Sequence, residues 1–265
     1  MSNLSKTVRY VNDLGTEIIF DYEHGYVINK PKGIDNLSVS YNEAVGNDRV
    51  GTQLIASAVA HRPVTVSGYV SARPSAACKQ LLLDAFLPEV GGKLYVGDYY
   101  LETVVTAAPT VSYHRVLPEF SLQLLAPYPY WISTNAVSAE FVNDYADIIN
   151  DQAISCGYEI RCTIESGAAN YLEFGVGDTN LLLKLRGKTS DFFVKDEIIA
   201  ITSDHKRLKC ASTMHGDITG LITANSNLRR IPAGNVRLSL SKGGSAIPMV
   251  NASIRIWPEK AGVVL

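Results

Sequence analysis

Along most of this chain apolar and polar residues alternate with a period of two, the spacing of a strand with one buried face. Val64, Val66 and Val70 keep one parity with Gly68 between them, and Phe120, Leu122 and Leu124 do the same. Short β-type segments at Arg9–Val11, Glu17–Phe20 and Tyr26–Asn29 are separated by Asn12-Asp13-Leu14-Gly15 and Glu23-His24-Gly25, both turn chemistries. Leu37, Val39 and Tyr41 alternate with polar neighbours and predict another strand of a one-face-buried sheet. Asn42 to Gly51 is polar and glycine-bearing, which predicts an exposed loop.

One stretch breaks the period. Ala77, Leu81, Leu82, Ala85 and Phe86 recur at helical spacing after Pro74, which suits a first helical turn, until Pro88 and Gly91-Gly92 stop the run. Lys93–Val96 and Tyr99–Thr106 then flank Gly97-Asp98, the signature of a tight hairpin. The strand of Phe120 to Leu124 runs into Ala126-Pro127-Tyr128-Pro129-Tyr130-Trp131. Two prolines without amide hydrogens end a sheet there, and Tyr128, Tyr130 and Trp131 supply area for core or interdomain packing. The stretch lies near mid-chain, so two domains are expected, 1–133 and 134–265.

Beyond the boundary, Ala136 to Ser155 shows no period that assigns it. From Tyr158 onward short strands return, clearest at Glu159–Ile164, Tyr171–Val176, Leu181–Leu185, Glu197–Thr202 and Leu208–Cys210. Ser203-Asp204-His205-Lys206-Arg207 forms a polar hairpin tip between the last two. Val236, Leu238 and Leu240 share one face, as do Ala252, Ile254 and Ile256. The fold class is mainly β: a β-rich first half with one packed helix, then a two-sheet sandwich.

With 265 residues, 46% of them hydrophobic, the chain is long enough for two cores. Its net charge of -2 comes from acids and bases mixed along the sequence, which predicts neither sequence-specific nucleic-acid binding nor an anionic membrane face. Protein or small-molecule partners are expected instead. No apolar run reaches membrane-spanning length and Met1 to Tyr10 lacks a signal-peptide core, so synthesis and residence in a cytoplasm are expected, without membrane insertion. Cys78, Cys156, Cys162 and Cys210 form no C-x-x-C pair, which favours reduced, buried thiols over disulfides or zinc.

Catalytic chemistry is thinly represented. His24, His61, His114, His205 and His215 are scattered, and no H-E-x-x-H, G-x-S-x-G, P-loop or dinucleotide fingerprint occurs. Gly175-Val176-Gly177 reads as a turn. Asp144, Asp147 and Asp151 fit one face of a short helix but lack the glycine-bearing loop of a calcium site. No catalytic residue, cofactor or metal is expected, and a non-enzymatic role is favoured.

The order of these features resembles the distal tail proteins of long, non-contractile-tailed bacteriophages. In the first half the likeness lies in Arg49-Val50-Gly51 before a strand, Leu81-Leu82-Leu83-Asp84-Ala85-Phe86-Leu87, Gly92-Lys93-Leu94-Tyr95, Tyr99-Tyr100-Leu101 and the Ala126–Trp131 stretch. In the second half it lies in the Ile199–Cys210 hairpin, Ser226-Asn227-Leu228 and Ile231-Pro232-Ala233-Gly234-Asn235. The resemblance implies a split-barrel first domain that assembles into a six-fold ring, single or stacked, at the virion tail tip, followed by a galectin-like sandwich on its outside. Such a ring joins the tail tube and tape-measure proteins to the tail-tip protein or tail-associated lysin. In some relatives the outer domain carries receptor-binding proteins, and the lumen passes DNA without reading it.

A second reading treats the sandwich as a carbohydrate-binding module for host wall sugar. Arg255 and Trp257 alternate with Ile254 and Ile256, which places both on an outer face where an aromatic platform beside a polar group would meet a sugar or a protein.

Overall fold

A computed structural model describes residues 7–45, 52–72, 75–112, 117–245 and 248–264. Pro74, His114 and the Arg49-Val50-Gly51 motif lie outside the described residues. The chain is mainly β, and its contacts divide it into unit 1, Met1–Thr134 with Lys260–Leu265, and unit 2, Asn135–Glu259. The C-terminal Lys260–Leu265, expected with the sandwich, therefore belongs to the first unit.

Unit 1 contains β1 (Val8–Asn12), β2 (Glu17–Phe20), β3 (Tyr26–Ile28), β4 (Val39–Val45), β5 (Thr52–Val59), β6 (Arg62–Val70), helix α1 (Ala76–Ala85), β7 (Gly91–Val96), β8 (Tyr99–Val111), β9 (Glu119–Ala126) and β10 (Trp131–Ser133). An antiparallel sheet runs β2-β1-β7-β8-β9-β6-β3, with β10 beside β8, and is nearly closed into a barrel. The period of two does what it predicts: Val64, Val66, Val70, Phe120, Leu122 and Leu124 are all buried. Gly97 takes φ +56° in the two-residue link that sets Val96 opposite Tyr99.

The helix seats by a narrower face than its spacing predicts. Leu82, Ala85 and Phe86 are buried, and Phe86 stacks on Tyr10 with ring centroids 4.2 Å apart. Ala77 and Leu81 are exposed, because the helix meets the core along Cys78, Leu82 and Ala85 and these two lie off that line.

The segment around Leu37 to Tyr41 departs from expectation. Strands β4 and β5 pair with each other and with no other strand among the described residues, and Val39 and Val59 are each 40% exposed. Asn42 to Val45, read as loop, is the continuation of β4; the rest of that stretch, 46–51, lies outside the described residues. A ladder between two strands satisfies backbone groups without a core, so neither alternation nor polarity reports it.

The buried charge of unit 1 was not foreseen. Arg62 is 2% exposed, and its guanidinium donates to the carbonyl oxygens of Pro129 (2.7 Å), Gly33 (2.8 Å), Ile34 (2.8 Å) and Ala261. The Ile34 carbonyl also accepts from Trp131 Nε1 at 3.0 Å and from the Val263 amide at 3.2 Å. Gly33 turns the chain at φ +84°, where a Cβ would come within 2.1 Å of the Pro63 oxygen. Arg62 thus ties the aromatic stretch and the C-terminal segment to one tight turn, and Trp131 is core, with no exposure.

Unit 2 contains β11 (Val137–Glu140), β12 (Tyr145–Asn150), β13 (Gly157–Ser166), β14 (Tyr171–Val176), β15 (Leu182–Arg186), β16 (Ile198–Ser203), β17 (Leu208–Ser212), β18 (Gly216–Asp217), β19 (Gly234–Gly243) and β20 (Met249–Trp257). Two sheets, β11-β20-β13-β16-β17-β18 and β12-β19-β14-β15, pack their apolar faces together in one core. The unassigned stretch Ala136 to Ser155 supplies β11 and β12. Strand β12 buries Ala146, Ile148 and Asn150 and exposes Tyr145, Asp147 and Ile149, so apolar residues stand on both parities and the period is hidden. Cys156, Cys162 and Cys210 are buried free thiols, and Cys78 of unit 1 is half-buried.

Candidate interaction surfaces

The polar residues that sequence reading singled out do not converge on one site. His24 Nδ1 lies 2.7 Å from Asp21 Oδ1 in an exposed turn of unit 1. His215 stacks on Phe192 in unit 2, with Nε2 3.1 Å from the Phe192 carbonyl oxygen. Asp144, Asp147 and Asp151 are not on a helix: Asp147 is on β12 and pairs with Arg237, Asp144 precedes that strand and pairs with Lys242, and Asp151 accepts from Gln152. Of the expected turn Gly175-Val176-Gly177, Gly175 and Val176 are the last two residues of β14, and Gly177 takes φ +49° in the turn that follows. Among the described residues no three or more His, Cys, Asp or Glu are grouped to hold a metal, and no helix is long and apolar enough to cross a membrane.

One cluster holds an acid, a histidine and a serine. Glu197 has no exposure; its Oε1 accepts from Ser212 Oγ and its Oε2 from the Val194 amide at 2.9 Å. His215 Nε2 stands 3.9 Å from the same Oε1. The serine oxygen accepts in turn from the amides of Met214 and His215, at 3.0 and 3.1 Å. A hydroxyl that donates to the carboxylate and is turned toward backbone amides is not activated by the imidazole, so the cluster fastens the β17–β18 turn and does not supply a nucleophile.

Unit 1 presents three surfaces. An open groove of about 510 Å³ is lined by Ser67, Tyr69, Thr110, Glu119, Phe120 and Ser121, with more apolar than polar surface. Helix α1 exposes Leu81, Leu83 and Leu87, 37–41% accessible, on the side away from the core. The β4–β5 hairpin offers backbone edges with no other strand beside them among the described residues.

Unit 2 presents the outer face of its six-stranded sheet, where Arg255 and Trp257 lie. Arg255 is exposed and stands opposite Ser138 on one side and Glu159 on the other; the same register continues through Thr202 to Lys209. Glu159 is ion-paired to Arg161 at 2.6 Å. Trp257 is half-buried and stands opposite Gly157. Gly157 in turn abuts the hairpin tip, since a Cβ there would come within 2.8 Å of the Ser203 oxygen. Asp204 Oδ1 accepts from the Lys206 and Arg207 amides at 2.7 and 2.8 Å, and Ser203 Oγ donates to the Arg229 carbonyl. The sequence-selected pair therefore sits beside the exposed cations Lys206, Arg207, Lys209 and Arg229 at one end of the sheet. Sequence reading missed that grouping, although His205-Lys206-Arg207-Leu208-Lys209 already carries its basic bias.

No family model and no curated protein sequence matches the chain. Solved structures do. The Dit protein (gp 19.1) of phage SPP1, a paradigm of the hub adsorption apparatus in phages that infect Gram-positive bacteria, aligns over 96% of this chain and 99% of its own, with a TM-score of 0.74 and 12% identity. The chain has the Dit fold. Two structures of the phage P2 baseplate in its activated conformation, one with Ca and one with Sr, align over 97% of this chain and 99% of theirs, with TM-scores of 0.52 and 0.51 and 10% identity. The motif resemblance in the sequence and the likeness to Dit and baseplate folds agree.

Proposed function

We propose that this protein is a structural hub at the distal end of a long, non-contractile bacteriophage tail. The observation that carries the proposal is the fold likeness to the SPP1 Dit protein, which extends over nearly the whole of both chains. In this reading unit 1 forms a six-membered ring, and unit 2 is a galectin-like sandwich on its outside. The ring joins the tail tube and tape-measure proteins to the tail-tip protein or tail-associated lysin, and the outer sandwich offers a place for receptor-binding protein. DNA passes through the lumen unread. The role requires no catalysis, and the protein is made in the host cytoplasm before it joins the virion.

The physics of a closed ring supports the assignment of its contacts to unit 1. Head-to-tail association needs two different patches on each subunit. The β4–β5 hairpin supplies unpaired strand edges, and the exposed leucines of α1 supply an apolar surface. Light scattering over a range of concentrations is expected to find a species of six times the 28.8 kDa chain, with rings in negative stain. A monomer at every concentration, both alone and with tail-tube protein added, would overturn the ring.

A further inference from the structure

The acids and bases of this chain are mixed along the sequence, but they are not mixed on the folded surface of unit 2. Arg255, Lys209 and Arg207 come from segments far apart in sequence and share the outward face at one end of the six-stranded sheet. None of these three is ion-paired among the described residues. The acids nearby are fewer than the cations and each has another partner: Glu159 pairs with Arg161, Asp204 accepts from two backbone amides, and Asp217, whose carboxyl also feels Lys209 and Arg207, accepts from the Thr219 amide at 2.9 Å. The result is a local excess of positive charge on a chain whose net charge is -2.

We propose that this end of the outer sheet face binds an anionic glycan bearing repeated phosphate groups, with Arg255, Lys209 and Arg207 taking phosphates and Trp257 taking a sugar ring. Three observations fix the chemistry of the partner. Two of the three cations are arginines, whose planar fork matches phosphate oxygens in pairs. Neighbouring strands are about 4.8 Å apart, so Arg255 on β20 and Lys209 on β17, separated by β13 and β16, span roughly 14 Å, a length that several units of an extended polymer cover. Trp257 lies one outward position beyond Arg255, and Gly157 opposite it carries no side chain, which leaves one flank of the indole clear of a cross-strand neighbour.

Other partners fit less well. A protein interface core needs apolar or aromatic anchors, whereas the next outward row consists of Ser253, Arg161, Ala200 and Ala211. Single-stranded nucleic acid is gripped by successive aromatic platforms, and Trp257 is a single one. The neutral sugar considered from the sequence leaves the three cations without a role.

The proposal concerns unit 2 and stands or falls apart from the ring. Yeast phosphomannan immobilised on a sensor surface is the probe, with the full chain as analyte. Neutral mannan, inorganic polyphosphate and single-stranded DNA serve as parallel surfaces. Retention on phosphomannan but not on mannan is expected, with a log–log salt slope between about -2 and -3 if three cations each displace roughly 0.7–0.9 counterions. The double reversal R207E/K209E is expected to weaken binding at least about tenfold. The same charge change placed elsewhere, K188E/K195E, should leave it unaltered; Lys188 and Lys195 are exposed residues of other loops. Trp257→Ala should weaken phosphomannan binding severalfold and leave polyphosphate binding as it was. Absence of retention, equal retention on mannan, or equal loss in the two double reversals would each overturn the site. Insensitivity of phosphomannan binding to Trp257→Ala, with far-UV circular dichroism unchanged, would overturn the sugar contact, and tighter binding to DNA than to phosphomannan would reassign the face.

Discussion

Both units bury mainly branched aliphatics, but unit 1 adds a connected set of rings and unit 2 adds buried thiols. In unit 1 Tyr10, Phe20, Tyr26, Phe86 and Phe120 form a connected set with centroids 4.2–6.3 Å apart, and the buried Arg62 guanidinium, at the other end of β6 from the Gly68–Phe120 pair, gathers four carbonyls. In unit 2 Ile160, Ile164, Leu172, Leu183, Leu185, Ile199, Ile201, Leu238 and Ile254 lie between two sheets with Cys156, Cys162 and Cys210. Aromatic pairs add about 0.5–1.5 kcal/mol each beyond their buried area, so unit 1 concentrates its stability in few contacts. Unit 2 spreads its stability over many equivalent positions. The first arrangement is vulnerable at single residues; the second resists all but a polar intrusion.

Arg62 is where that contrast breaks most sharply. Arg62→Met keeps much of the volume but leaves the carbonyls of Gly33, Pro129 and Ala261 without their guanidinium donor, while Ile34 retains Trp131 and Val263. The expected cost is about 3–5 kcal/mol, confined to unit 1. The chain has two tryptophans, Trp131 in unit 1 and Trp257 in unit 2, so a Trp257→Phe background isolates the unit 1 signal in a denaturant titration. Thiol labelling of Cys162 and Cys210 follows unit 2 in the same samples. A single shared transition that shifts as a whole would show that the two units do not melt separately.

The polar intrusion for unit 2 is Cys162→Ser, which places a hydroxyl where the thiol has no exposure. The expected cost is about 1–3 kcal/mol in unit 2 with unit 1 unchanged, and Cys162→Ala should cost less than Ser if polarity rather than volume decides. The native thiols also separate the units by pH. Burial pushes Cys156 and Cys210 up from 9.0 to about 12, and raises Cys162 further. A raised folded value means that stability is complete below the unfolded value and falls as pH rises above it, so unit 2 should weaken from about pH 9. In unit 1 the corresponding group is Tyr10, raised by burial from 10.0 to about 12, so its loss should start about one unit higher. Alkaline unfolding followed by the same two probes checks the order.

What the sequence disclosed follows the same division. Strands β13, β14, β16 and β17 were legible because every second residue enters one large core, and β6 and β9 were legible for the same reason. Strand β4 was legible only at its start, where Val39 and Tyr41 alternate with polar neighbours, β5 was not, and β12 was not, since Ile149 and Tyr145 put apolar side chains outward. Arg62 escaped notice because its role depends on carbonyls contributed from both ends of the chain. The candidate surface was half visible: alternation put Arg255 and Trp257 outward, but only the register of β20, β13, β16 and β17 brings Lys209 into line with them.

The smallest effect should come from the outer face of the four-stranded sheet. Arg237 Nε and Nη2 donate to the two Asp147 oxygens at 2.8 and 2.9 Å, across a register that sets the residues opposite each other. The Arg237 guanidinium holds the Asp147 carboxyl below the usual carboxylate range, and the carboxylate holds Arg237 above its own. Both side chains are 65% exposed, so water and salt screen the pair. A depressed carboxyl contributes above its unfolded value and loses that contribution as pH falls through the folded one. Asp147→Asn should therefore leave the unit 2 midpoint within measurement error at neutral pH, and any small difference from the parent should vanish in acid and in high salt. A displacement as large as that of Cys162→Ser would mean that paired charges on the surface, and not the aliphatic core, hold the second unit together, and the contrast between the two units would have to be redrawn.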